Sequence, residues 1–131
     1  MMKATSKTSN RLRSADEIRS FIRDVEMAYL LECSRVNGTE RRSAERMNVT
    51  MPVRVTALDD QLEPLDYHYH AVTRNISTNG VGFFTTNPIG RSYVQLTFEP
   101  YHGESFTIVA QVIHCSDVGY YFQVGCEFVA S

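Results

Sequence analysis

Two short polar clusters in this 131-residue chain carry side chains that suit an anionic ligand. The first is Arg41-Arg42-x-x-x-Arg46, which places three guanidinium groups within six positions. Arginine stays charged and offers paired planar donors, so it binds phosphate oxygens and the O6/N7 edge of guanine in the same way. Glu40 and Glu45 lie among these arginines, so the cluster taken alone also fits a solvated run of charges.

The second cluster is Asn75-x-Ser77-x-x-Gly80, between two predicted strands. The Asn75 amide can pair with the edge of a base, because it offers both donors and an acceptor. Ser77 and nearby backbone N–H groups can hold a phosphate oxygen. Gly80 can take a positive φ and allows the chain to approach closely. Alone, this cluster also fits an ordinary Asx-type hairpin turn. Together, the two clusters are predicted to close on one anionic ligand.

A basic tail and a helix precede these clusters. Residues 1–13 contain basic side chains and no acid, which is typical of a disordered, solvated terminus; a basic arm that touches a partner is the alternative. Residues 14–39 are predicted to form a helix, over about 15–35, and a linker. Ser14 and Glu17 form the capping-box pattern that starts such a helix.

Apolar residues follow helical spacing along one face of the predicted helix. Such a stripe favours packing against the rest of the domain. The alternatives are a seam between two copies of the chain, in a homodimer, or a docking surface for a protein partner. The stripe consists of Ile18, Phe21, Ile22, Val25 and Tyr29, and Cys33 is a candidate for its next position.

From Met47 onward the apolar period changes from 3.6 to 2, which indicates half-buried strands. Pro52 within the first of them suggests an edge position or a bulge. Short connections without a helical pattern predict a mainly β domain over residues 40–131, as an antiparallel barrel or sandwich. We favour the barrel, because closure removes exposed edges. Six strands are predicted, at about 47–57, 66–76, 81–84, 93–99, 105–115 and 119–129.

Composition narrows the classes of function. A net charge of -2 does not indicate a nucleic acid polymer as partner. Three cysteines without close pairing suggest a reducing compartment, and no signal peptide or membrane-spanning run is seen, so we expect a cytoplasmic protein. His68 and His70 share a strand face, but no second pair accompanies them, so no metal site is predicted. No nucleophile has a base near it in sequence, so neither an enzyme nor a cofactor is expected.

The order and separation of the two clusters resemble the PilZ domains that bind cyclic di-GMP, over about residues 40–129. The resemblance rests on Arg41-Arg42-x-x-x-Arg46 and on Asn75-x-Ser77-x-x-Gly80 followed by Val81-Gly82-Phe83. The closing segment Gln123–Phe128 supports it, since it contains a Val-Gly-x-x-Phe pattern. Asparagine stands at position 75, where aspartate is commoner in the family. The family fold, a six-stranded antiparallel barrel, agrees with the independent strand pattern.

The resemblance implies a cyclic di-GMP site. Arg42 and Arg46 would bind guanine edges and phosphates, and Asn75 would read a guanine. Ser77 would contact phosphate or backbone, and Gly80 would allow the turn.

In this family an arginine directly before the motif goes with two stacked, intercalated ligand molecules, so Arg41 suggests that stoichiometry.

The function that the resemblance implies is a bacterial receptor or adaptor in second-messenger signalling, without catalytic activity. Ligand binding would draw residues 41–46 onto the barrel, reorient the N-terminal helix and regulate a protein partner. Two alternative functions remain open. One is a protein-interaction module on the same barrel that does not depend on nucleotide. The other, ranked last, is a small barrel that binds single-stranded nucleic acid by stacking bases on its tyrosines.

Overall fold

A computed structural model describes residues 12–36, 48–100 and 103–131, with backbone alone for residues 32–36. The predictions for Arg41, Arg42 and Arg46 and for residues 1–11 therefore lie outside the described residues. One helix, α1, spans Ala15–Val36. Six strands follow: β1 Pro52–Leu58, β2 Pro64–Ile76, β3 Gly80–Thr85, β4 Tyr93–Phe98, β5 Phe106–Asp117 and β6 Phe122–Phe128.

The strands form a closed barrel in the order β1-β2-β3-β6-β5-β4, with every neighbouring pair antiparallel. This confirms the predicted six-stranded barrel. The period-2 pattern explains the core, because alternate residues of each strand point inward. In β1, for example, Val53, Val55 and Ala57 are at most 2% exposed.

The sequence predicted Pro52 at a sheet edge or at a bulge, and the structure shows it in a different place. It is the first residue of β1, which starts there rather than at residue 47. Proline lacks an N–H, so a place at the start of a strand costs no ladder hydrogen bond. Its carbonyl still accepts a hydrogen bond from the Glu99 N–H, at 3.1 Å.

The last hairpin turn is longer than the predicted Asp117–Gly119. The Val118 N–H donates to the Tyr121 carbonyl at 3.0 Å, and β6 starts only at Phe122. Gly119 has a φ of 113°, which accounts for glycine at this position.

Helix α1 starts with the predicted capping box. The Ser14 N–H donates to Glu17 Oε1 at 2.9 Å, and the Glu17 N–H donates to Ser14 Oγ at 3.1 Å. Two backbone donors that the helix itself cannot pair are thereby satisfied.

The apolar stripe of α1 packs on the barrel, as predicted. Ile18, Ile22 and Val25 are buried in the same core as the strands. The Phe21 ring stacks on the Phe106 ring, with 4.4 Å between centroids. Further toward the C-terminal end of the helix, three apolar side chains are exposed, those of Met27, Leu30 and Leu31.

Arg13, the last residue of the predicted tail, is docked on the barrel. Its Nε donates to the Thr107 carbonyl at 3.0 Å, and its guanidinium lies 4.3 Å from the centre of the Phe106 ring. Its own carbonyl accepts from the Ser131 N–H at 2.9 Å. These contacts fasten the start of α1 to β5 and to the end of the chain.

Candidate functional site

Four adjacent strands bring one row of residues together on the outer face of the barrel. In register across β2, β3, β6 and β5, Asn75 is opposite Gly82, Gly82 is opposite Gly125, and Gly125 is opposite His114. The two central positions lack side chains, and the two outer ones carry polar side chains. With strands about 4.8 Å apart, the row spans roughly 14 Å. We call it the glycine shelf.

The Asn75 side chain covers one of the glycines. A Cβ on Gly82 would lie only 2.9 Å from Asn75 Oδ1, so the amide occupies the space that another side chain would need. Asn75 is 7% exposed. Its amide makes no hydrogen bond within the described part of the chain and faces a cavity. A polar amide held in this way can read the edge of a ligand.

His114 covers the other glycine. A Cβ on Gly125 would lie 2.6 Å from His114 Nε2 and 3.1 Å from both Cδ2 and Cε1. The distances to Cδ2 and Cε1 are equal and only slightly longer than the distance to Nε2. The Cβ position therefore lies over the face of the ring, near Nε2. The imidazole therefore lies nearly flat on Gly125 and is exposed on its other side. His114 was not among the predicted site residues, although glycine inside a strand indicates close approach of another group.

A β-bulge aims each of these polar side chains outward. In β2 the register shifts between Thr73 and Asn75, and in β5 it shifts between Val112 and His114. Thr73 is buried, so simple alternation would also point Asn75 into the core. The extra residue of a bulge reverses the phase and turns the next side chain to the other face.

Ser77 stabilises the turn between β2 and β3. Ser77 Oγ accepts from the Asn79 and Gly80 N–H groups at 3.2 and 3.3 Å, and the Ser77 N–H donates to the Gly80 carbonyl at 2.9 Å. The Asn79 carbonyl accepts from the Phe128 N–H at 2.8 Å, which ties the turn to β6. Ser77 therefore stabilises this turn, and its phosphate contact stays a prediction.

Gly80 is required by close packing rather than by a positive φ. A Cβ there would lie 2.1 Å from the carbonyl oxygen of Cys126 in the neighbouring strand. The positive-φ glycines of the described residues are Gly103 and Gly119. Of the two reasons expected for glycine at position 80, the structure supports the close approach.

A cavity of about 980 Å³ opens over the glycine shelf. Its volume lies near the upper end of the roughly 300–1,000 Å³ range of small-molecule sites. Asn75, Ser77 and Gly80 all line it, so the three predicted site residues within the described chain share one site. The charged residues on its described wall are one arginine and two glutamates, namely Arg74, Glu26 and Glu127.

Cys126 offers no nucleophile to this cavity. Burial, with a smaller effect of the nearby Cys115, raises the pKa of its thiol to about 12. The thiol therefore stays protonated and serves as an apolar core residue at neutral pH.

The described residues bear on the predictions about metal sites and membrane spans. No group of three or more metal-ligating side chains occurs among residues 12–31, 48–100 and 103–131. His68 and His70 pack edge to face, with 5.4 Å between ring centroids, as an exposed pair on β2. Over the same part of the chain, no helix has the length and apolarity to cross a membrane.

Comparison with known proteins identifies the domain. The family model for the PilZ domain matches residues 40–131. Among solved structures, the chain is similar to the Bacillus subtilis inhibitor of motility MotI/DgrA, with a TM-score of 0.50 and 16% identity. That match covers 69% of this chain and 43% of the other, so the chain spans less than half of that protein. A search of curated proteins gave no match. Because the family model covers more than half of its residues, this chain belongs to the PilZ domain family.

Proposed function

We propose that this protein is a cyclic di-GMP receptor that acts as an adaptor, without catalytic activity, in bacterial second-messenger signalling. The observation that carries the proposal is the glycine shelf, with its amide at one side, its imidazole at the other and a cavity above. The His114 ring lies over Gly125 and offers a flat face on which a purine can stack, and Asn75 would read a base edge.

The phosphates of the ligand need a net positive charge that the described cavity wall does not supply. One arginine against two glutamates leaves that wall with a net charge of -1. A cyclic dinucleotide carries two negative phosphates, so this wall alone would oppose binding. The proposal therefore assigns phosphate and guanine binding to Arg42 and Arg46, with Arg41 supporting two intercalated ligand molecules.

The chain that follows these arginines joins the barrel beside the shelf. Thr73 Oγ1 accepts from the Met51 N–H at 2.9 Å and donates to the Val49 carbonyl. Thr73 precedes Asn75 by two residues in β2. This anchoring supports the proposal that the arginine motif and Asn75 act on the same ligand.

The test is a calorimetric titration with cyclic di-GMP. Each charge-assisted arginine contact contributes roughly 1.5–3 kcal/mol, so Arg46→Ala should weaken binding by about tenfold to a hundredfold or more. Arg91→Ala is the matched control, because Arg91 is an exposed arginine outside the cavity lining. The stoichiometry of the wild type decides between one and two ligand molecules per site. Equal affinities of the wild type and Arg46→Ala would refute the proposed site.

A second candidate function is a protein-interaction module that does not depend on nucleotide. Met27, Leu30 and Leu31 favour it, because they are 53%, 42% and 64% exposed on α1. An apolar helix face of this kind suits a protein partner. A wild-type protein that gives neither heat nor a spectral change with cyclic di-GMP would support this function over the first. We also propose that, in the receptor, this same helix face contacts the protein partner that is regulated.

A further inference from the structure

One residue of α1 reaches the cavity over the glycine shelf. Every other described lining residue belongs to the barrel, whereas Glu26 comes from the helix. Its neighbour Val25 is 8% exposed and packs in the common core, so the helix is fixed to the barrel at this point. Glu26 itself is half-buried. Within the described part of the chain it makes no hydrogen bond and no ion pair.

A carboxylate from the helix is an unexpected group in a site for a dianion, unless the ligand also presents hydrogen-bond donors. A carboxylate accepts hydrogen bonds with both oxygens and donates none. The Watson–Crick edge of guanine presents N1–H and the exocyclic N2 amino group side by side, which matches the two oxygens of a carboxylate. Adenine has an acceptor at N1 in this place, which a carboxylate would repel.

We propose that Glu26 reads the N1–H and N2 amino donors of a guanine held in this cavity, and so makes α1 part of the ligand site. This inference rests on the proposed function and deepens it. It assigns to the helix a part in discriminating guanine from adenine, and it gives the helix a direct contact with the bound nucleotide.

The experiment compares Glu26→Gln with the wild type against two ligands, cyclic di-GMP and its inosine analogue, which lacks the N2 amino group. Glutamine keeps the size of the side chain and one acceptor oxygen but loses the charge and the paired acceptance. We expect Glu26→Gln to bind cyclic di-GMP about tenfold more weakly, as for a lost bidentate base contact. Against the inosine analogue the loss should shrink to about threefold or less, because the bond to the N2 amino group is already absent.

Asp24→Asn is the matched control. It removes the same charge from the same helix, and Asp24 does not line this cavity. Its affinity for both ligands should stay within about twofold of the wild type, because an exposed charge outside the site is screened.

The outcomes separate the inference from the proposed function. If the wild type binds cyclic di-GMP and Glu26→Gln binds it equally well or more tightly, the carboxylate merely repels phosphates and the inference is overturned. An equal loss on both ligands also overturns it, since the N2 amino group is then not the contact. If the wild type binds neither ligand, the proposed function itself falls, and the inference with it.

Discussion

A methyl group at residue 80 should destabilise the barrel, because two strands meet there without room for it. The Cβ of Gly80→Ala would lie 2.1 Å from the Cys126 carbonyl oxygen and 3.2 Å from the Glu127 Cα. Carbon–oxygen contacts in sheets are normally about 3.3–3.6 Å, so the groups must separate by roughly 1 Å. Both obstacles are backbone atoms of β6, so no side-chain rotation can relieve the clash.

The cost follows from what the separation disrupts. Overpacking alone typically costs about 1–3 kcal/mol. A shift of about 1 Å also stretches one or two hydrogen bonds of the β3–β6 ladder beyond bonding distance, at about 1 kcal/mol each. Val81 and Cys126, which face each other in this strand pair, are both buried in the core. We therefore expect Gly80→Ala to lower the free energy of unfolding by about 2–4 kcal/mol.

Urea denaturation of Gly80→Ala and Gly90→Ala measures this cost against a control. A Cβ on Gly90 meets nothing within 4 Å, so that variant should stay within roughly 0.5 kcal/mol of the wild type or gain up to about 1 kcal/mol from reduced chain entropy. Both variants add one methyl group, which meets the backbone of β6 at residue 80 and open space at residue 90. Equal unfolding free energies for both would refute the close approach of β3 and β6.

Two further predictions concern buried groups. Thr73→Val should lower the free energy of unfolding by about 2–4 kcal/mol, because it leaves the Met51 N–H and the Val49 carbonyl without their partner; thermal unfolding within 1 °C of the wild type would contradict this. For Cys126, burial raises the pKa of the thiol from its ordinary 9.0 to about 12, so the unfolded chain loses this proton at lower pH than the folded one. Its contribution to stability is therefore full below pH 9 and declines up to about pH 12. Cys126→Ala, measured by urea denaturation over this range, should show a shallower decline, and an identical slope would contradict the assignment.

Local patterns were sufficient to predict the elements of this fold. The capping box at Ser14 depends on residues three positions apart, so it can be recognised in the sequence alone. The strand pattern depends on alternation within each strand, and the closed barrel follows from the need to pair every edge. Asn75, Ser77 and Gly80 are close together in the sequence and were predicted to form one cluster, and the structure shows that they line one cavity.

The composition of the site was harder to predict, because it depends on strand phase and on contacts between distant residues. Counting alternate residues cannot locate a bulge, and the bulges before Asn75 and His114 decide which face each side chain takes. The docked position of Arg13 could not be predicted either, because its partner Phe106 lies 93 positions further along the chain. The local sequence therefore assigned Arg13 to the basic tail. Such contacts leave no pattern in a single sequence.

The docking of α1 limits how a ligand could signal. Undocking the helix would expose several apolar side chains that pack on the barrel. Four of them, Ile18, Phe21, Ile22 and Val25, contribute about 1.5–3 kcal/mol each, or roughly 6–12 kcal/mol together. Binding with micromolar affinity releases about 8 kcal/mol in total, and only the difference in affinity between two states can shift their equilibrium. Release of the whole helix would therefore consume most or all of the binding free energy of a micromolar ligand. We therefore expect the proposed reorientation to involve the part of α1 beyond Val25, where Met27, Leu30 and Leu31 are exposed and where Glu26 would touch the ligand.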